Sequence, residues 1–149
     1  MDQQILRLVE ECVERKGAHL IDLVVRGDRG RQVFEVYIDT EQGLTTERCA
    51  EVSREIAMSL DAAKLATRAY RLEVSSPGIE RPLKFPWQYR KHLGRTLQLK
   101  VKNPQGIAQL SGTLVGTDDL AIRLEAGHGG DPMVVPMNTI IEARVPAPW

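Results

Sequence analysis

Two stripes of apolar residues have helical spacing and predict amphipathic helices, one over residues 2–16 and one from Thr45 or Thr46 to about Leu60. The first stripe consists of Ile5, Leu8, Val9, Cys12 and Val13. The second stripe consists of Cys49, Val52, Ile56 and Leu60. Because the remaining positions of each segment are mostly polar or charged, each helix is expected to bury one face and expose the other.

Apolar and polar residues alternate, or apolar residues dominate, in a second group of segments, which is typical of β-strands. In the first half of the chain these segments are residues 19–26, 31–39 and 69–75. The first two flank Gly27–Gly30 and predict a hairpin. Five short strands follow, over residues 96–102, 108–117, 120–124, 133–136 and 140–145. Because closure removes exposed strand edges, these five predict a small closed or partly closed barrel.

The segment between these two groups, residues 75–86, contains Pro77, Pro82 and Pro86. Three prolines at this spacing exclude a helix interior or a central strand. Pro77-Gly78 is the preferred central pair of a type II turn, so a well-defined loop is expected. A short helix should follow over residues 87–93. The pattern therefore predicts an α+β protein with an α/β domain over residues 1–93 and an all-β domain over residues 94–149.

The overall composition is that of an ordinary globular chain, with 42% hydrophobic residues and 20 Lys and Arg balancing 20 Asp and Glu. No apolar stretch approaches the roughly 20 residues that a membrane helix requires. Two cysteines cannot form a disulfide framework, which favours a reducing, cytoplasmic location.

The neutral total conceals a basic central segment. Residues 64–102 contain ten Lys and Arg but only two acids, Glu73 and Glu80, whereas both flanking parts of the chain are acidic. A local excess of cations favours an anion-binding face. The alternative is that these cations are scattered over solvated surface and pair with acids elsewhere in the fold.

Catalytic and metal-binding patterns are weak in this sequence. Cys12 and Cys49 lie in the apolar helical stripes, where a free cysteine behaves as a small hydrophobic residue. The three histidines lack the spacing of a metal site, and no phosphate-binding or dinucleotide-binding loop is present. Gly27–Gly30 matches the Gly-x-x-Gly pattern of KH-type RNA-binding loops, but a hairpin turn is the favoured interpretation. We therefore expect no enzymatic activity, no cofactor and no metal.

The best candidate for binding is the proline-rich loop together with the cations around it. Lys and Arg bind polyanions by releasing condensed counterions, and a pre-ordered loop loses little entropy on docking. Trp87 and Tyr89 either stack on unpaired bases or close the seam between the two halves. The residues predicted to form this binding surface are Arg71, Ser75, Ser76, Gly78, Glu80, Arg81, Lys84, Arg90 and Lys91.

Residues 72–83, with the sequence LEVSSPGIERPL, resemble the signature segment of the bacterial ribosome maturation factor RimP family. Matching pieces occur in the same order around it, including residues 36–39, 43–45 and 52–54. The resemblance implies a KH-like domain with two helices on a three-stranded sheet, followed by an Sm-like barrel. It also implies a non-enzymatic, cytoplasmic factor that associates with the free small ribosomal subunit and assists its late assembly.

Two alternatives to this function remain. One is a general RNA-binding module of Sm or KH type that acts on small RNAs. The other is an enzyme with Cys12 or Cys49 as nucleophile. For the leading hypothesis the partners are ribosomal RNA and ribosomal proteins, without a membrane or a small-molecule substrate, and the protein is expected to be a monomer.

Overall fold

The computed structural model describes residues 3–27, 31–65, 70–78, 81–127 and 131–146. The chain divides into two compact units, Met1–Pro77 and Gly78–Trp149. The first unit combines helices with a three-stranded sheet, and the second is built mainly on a five-stranded sheet. The predicted α+β class is confirmed.

The first unit contains two helices and three strands in the order predicted from the sequence. They are α1 (Gln3–Arg15), β1 (His19–Arg26), β2 (Gln32–Asp39), α2 (Thr46–Ala63) and β3 (Tyr70–Ser75). β1 and β2 are antiparallel, as a hairpin requires. The tip of that hairpin, residues 28–30, lies outside the described residues, so the turn type stays a prediction.

The apolar stripes of both helices form the core of this unit, as their spacing predicts. Val9, Cys12 and Val13 of α1 pack with Val52, Ile56 and Leu60 of α2 and with the inward-facing residues of the sheet. All six side chains are fully or almost fully buried. The unit therefore rests on the burial of one helix face and one sheet face.

Two hydrogen bonds made by Arg48 hold the beginning of α2 next to the end of α1. The backbone N–H of Arg48 donates to Thr45 Oγ1 at 3.1 Å, which makes Thr45 the N-cap of α2. The Arg48 guanidinium in turn donates to the carbonyl oxygen of Lys16, just beyond the end of α1. One residue thus ties the beginning of α2 to the end of α1.

β3 pairs with β2 in parallel, with Phe34 opposite Leu72 and Tyr37 opposite Ser75. Parallel neighbours need a long crossover, which α2 provides here. The sheet order is consequently β1-β2-β3, with β3 at an edge.

The first regular element of the second unit is a short helix, α3, which is followed by a 3₁₀ turn and then mainly by strands. The elements are α3 (Pro86–Tyr89), β4 (Thr96–Asn103), β5 (Gly106–Thr117), β6 (Ala121–Glu125), β7 (Met133–Pro136) and β8 (Ile140–Arg144). The 3₁₀ turn is Arg90–His92, and a second one, Met137–Thr139, precedes β8. All five strands predicted from the sequence are present.

These strands form one antiparallel sheet in the order β7-β6-β5-β4-β8. Its core contains Leu97, Leu99, Leu114, Ile122 and Val135. Over the described residues the pairing ends with β7 at one edge and β8 at the other, so the predicted closure into a barrel is not confirmed.

The division between the units precedes the boundary predicted near residue 93, because the segment before β4 packs in the second unit. The N–H of Leu83 donates to the carbonyl of Ala143 at 2.8 Å, and that of Gly94 donates to the carbonyl of Leu114 at 2.8 Å. Tyr89 belongs to the core of the second unit and is 3% exposed. Helical residues placed with the α/β half from sequence thus belong to the β-rich half.

Candidate functional site

The predicted binding residues are divided between the two units. Those in the first unit are Arg71, Ser75 and Ser76. Those in the second unit are Gly78, Arg81, Lys84, Arg90 and Lys91. Glu80, the one predicted acid, lies outside the described residues. The two groups are therefore described separately.

In the first unit the predicted residues lie along β3 and just after it. The Arg71 side chain is 75% exposed and forms an ion pair with Glu73 at 2.9 Å. Ser75, the last residue of β3, and Ser76, which follows it, are exposed. Since an exposed ion pair contributes about 0–1 kcal/mol, Arg71 can exchange Glu73 for a phosphate at little cost.

At the start of the second unit Gly78 has a φ of 61°, the left-handed conformation that glycine adopts without strain. This conformation agrees with the turn predicted at Pro77-Gly78. Lys84 is exposed, whereas Arg81 is partly buried and interacts with other groups of the protein. Of these two cations, Lys84 is therefore the more accessible to a partner.

A buried glutamine holds the backbone that leads into α3. Gln88 is 3% exposed, and its Oε1 accepts hydrogen bonds from the N–H of Lys84 at 2.7 Å and of Phe85 at 2.8 Å. A Gln at the third helical position that reaches back to the residue before the helix is half of a capping box. Sequence analysis missed Gln88, although its spacing from Phe85 and Pro86 carries that signal.

Two aromatic rings and two lysines form a continuous arrangement on this segment. The rings of Phe85 and Trp87 are stacked, with centroids 5.6 Å apart and planes 7° apart. Lys84 Nζ lies 5.5 Å from the centroid of Phe85, and Lys91 Nζ lies 5.4 Å from that of Trp87. Both distances are within the range of cation–π attraction. We call these four residues the lysine–aromatic stack.

Burial limits what the aromatic residues can contact. Trp87 is 9% exposed and Tyr89 is 3% exposed. Burial also raises the pKa of Tyr89 to about 12. Base stacking on Tyr89, one of the two alternatives from sequence, is therefore wrong, because its ring is enclosed by the core of the second unit.

The 3₁₀ turn after α3 contains Lys91 of the lysine–aromatic stack and one further cation, Arg90. Arg90 is 55% exposed and lies 3.7 Å from Asp119, and Lys91 is exposed. Residues 81–95 contain five Lys and Arg and no Asp or Glu. The segment therefore has a local excess of positive charge. Arg90 also forms an ion pair with Asp119, which lies in the loop before β6.

The cysteines are poorly placed for nucleophilic chemistry. Cys12 is fully buried and its Sγ accepts a hydrogen bond from Arg15 at 3.3 Å. Burial raises the pKa of the Cys49 thiol, which lowers the population of the reactive thiolate. Within the described ranges no three potential metal-ligating side chains lie together, and no helix is long and apolar enough to cross a membrane.

Comparison with known proteins adds a family match to this geometry. Residues 8–80 match the model of the RimP N-terminal domain. The protein named ribosome maturation factor RimP from Chlorobium chlorochromatii (strain CaD3) is 33% identical to this chain over 123 residues. The alignment covers 81% of this chain, and the chain spans 66% of that relative's length. The matched N-terminal domain ends close to the boundary between the two units.

Proposed function

This chain belongs to the RimP family, and from that membership we propose that it is a ribosome maturation factor that binds the free small ribosomal subunit and assists its late assembly. The observation that carries the proposal is the agreement between the family match at residues 8–80 and the first compact unit, Met1–Pro77. The relative's name supports the same role over a larger part of the chain.

The architecture supports a two-domain RNA-associated protein. In the first unit the α-β-β-α-β order with a parallel third strand supports a KH-like domain. In the second unit β4 lies between β5 and β8, an order that supports an Sm-like barrel. We propose that both domains contribute to subunit binding, as a monomer in the cytoplasm.

The mechanism we propose is thermodynamic and involves no chemical reaction by the protein. A factor that binds an immature conformation of the subunit more tightly than competing conformations shifts the population toward it. A factor that binds all conformations equally shifts nothing. The proposed contacts are those predicted from sequence, among which Lys84, Arg90 and Lys91 are exposed cations of the second unit.

Sedimentation tests this proposal. The wild-type chain is mixed with free small subunits, free large subunits or assembled ribosomes and separated on sucrose gradients. We expect co-migration with the free small subunit alone, since a maturation factor must leave before the ribosome is complete. Equal co-migration with all particles, or with none, contradicts the proposal.

One observation favours the alternative of a general RNA-binding module. Residues 81–95 contain cations without acids, and such a segment binds any polyanion. If this alternative is correct, unrelated small RNAs compete with the small subunit in proportion to their phosphate concentration. If the leading proposal is correct, a large excess of unrelated RNA leaves the co-migrating fraction largely unchanged.

A further inference from the structure

The rings of the lysine–aromatic stack are largely covered, which leaves little ring surface for an unpaired base. The Phe85 and Trp87 rings face each other, and the lysines lie over them. Trp87 is 9% exposed and Phe85 is only partly exposed. A base stacks only on an accessible ring face, so binding by base stacking would first require these contacts to break.

The two ammonium groups are held in place by the same contacts. A lysine side chain has about 2 kcal/mol of rotamer entropy, much of which a free lysine loses when it binds. Attraction to the rings, together with the hydrogen bonds of Gln88 to the backbone of residues 84 and 85, restricts Lys84 before binding. Trp87 restricts Lys91 in the same way.

From this geometry we propose that the segment Arg81–Arg95 binds the phosphates of RNA and not its bases, with Lys84 and Lys91 as the contacting groups. Phe85, Trp87 and Gln88 are positioning residues that orient the two lysines. This inference rests on the proposed function, which supplies RNA as the partner. It adds that the segment recognises the phosphate groups of that RNA. Binding at this segment is consequently independent of nucleotide sequence and strongly dependent on salt.

Salt titration with three RNA probes tests the inference. The probes are a uridine single strand, an adenosine single strand and a duplex, matched in number of phosphates and labelled for fluorescence anisotropy. In the full-length chain, Lys84→Gln with Lys91→Gln removes both proposed contacts. We expect the slope of log Kd against log salt to fall by about 1.4 for the single strands and about 1.8 for the duplex. At 0.1 M salt this corresponds to roughly 25- to 60-fold weaker binding.

Two further variants separate phosphate contact from base contact and from loss of charge in general. Phe85→Leu keeps an apolar side chain but removes the ring beneath Lys84, and we expect a uniform loss of roughly 2- to 5-fold on all three probes with an unchanged slope. Arg54→Gln with Arg123→Gln removes two exposed cations outside residues 64–102 and serves as the matched control. Its slope should stay within about 0.5 of the wild type.

Three results would overturn the inference. They are an unchanged slope in the double lysine variant, a loss confined to single strands in either segment variant, and failure of the wild type to bind any probe. Each is distinguishable from failure of the proposed function, because co-migration of the wild type with free small subunits is measured separately.

Discussion

Gln88 stabilises the backbone of the segment Arg81–Arg95. Its side chain is almost fully buried, yet its Oε1 satisfies two backbone donors that enter α3. Without this acceptor the N–H groups of Lys84 and Phe85 lose their partner in a partly buried region. A single side chain therefore stabilises the backbone on which the lysine–aromatic stack is built.

Substitution of Gln88 by Leu should lower the free energy of unfolding by about 1–3 kcal/mol, since donors in a partly buried region are left unsatisfied. Urea unfolding followed by circular dichroism measures the loss. Gln109→Leu, at an exposed position of β5, is the matched control and should change stability by less than about 0.5 kcal/mol. Equal effects of the two substitutions would argue against the role given to Gln88.

Tyr89 gives the second unit a specific sensitivity to alkaline pH. Burial raises the pKa of Tyr89 from 10.0 to about 12. Between these two pH values the unfolded chain loses this proton while the folded chain keeps it. The free energy of unfolding therefore has its full value below pH 10 and falls as the pH rises toward 12, by an amount on the order of 2–3 kcal/mol.

The comparison of wild type with Tyr89→Phe isolates this effect, because the other alkaline groups titrate in both proteins. Urea unfolding at pH 9, 10 and 11 should show a steeper loss of stability for the wild type. Parallel curves for the two proteins would show that Tyr89 titrates normally.

At the scale of elements, α2 carries much of the packing of the first unit. Its buried face comprises Val52, Ile56 and Leu60, and it also forms the crossover that makes β3 parallel to β2. Leu72 and Val74 of β3 are only partly buried against the same core. Replacing either residue by Ala should therefore lower the free energy of unfolding by less than replacing a residue on the buried face of α2 by Ala.

Ile56→Ala should lower the free energy of unfolding by about 2–5 kcal/mol, because a fully buried side chain leaves a cavity. Met58→Ala lies on the same helix, but Met58 is 68% exposed, so it should have little effect. Chemical denaturation of the two variants checks the difference. A similar loss for both variants would contradict the conclusion that the buried face of α2 provides the stabilising packing.

The elements were predictable from sequence because each depends on local periodicity. The helices and strands begin and end within a few residues of the predicted bounds. Other features depend on contacts between distant residues. The parallel pairing of β3 with β2 cannot be read from alternation, and neither can the packing of Leu83 and Tyr89 with the second unit.

The candidate site was predictable in its charges but not in its arrangement. The excess of Lys and Arg and the turn at Pro77-Gly78 are properties of the sequence. The lysine–aromatic stack is not, because spacing alone does not determine whether Trp87 faces solvent, the core or another ring. Partial burial of Arg81 belongs to the same class of tertiary effects.

For the whole molecule, the central prediction concerns subunit binding. Arg81→Glu combined with Lys84→Glu should reduce co-migration with free small subunits, because it replaces two cations by anions near a polyanion. The loss should be larger at low salt and is measured by quantitative immunoblotting of gradient fractions. Arg54→Glu with Arg123→Glu makes the same charge change outside residues 64–102 and should bind more tightly than the first variant. Unchanged co-migration of the Arg81 and Lys84 variant would contradict this placement of the binding surface.

The parallel register of β3 also affects how the chain matures during its own synthesis. β2 meets β3 only after α2 has been translated, so its outer edge stays unpaired until residues 70–75 have emerged from the translating ribosome. A nascent chain that stalls before this point exposes that edge to other chains, which favours aggregation. β3 therefore completes the first unit and also leads directly into the proline-rich loop.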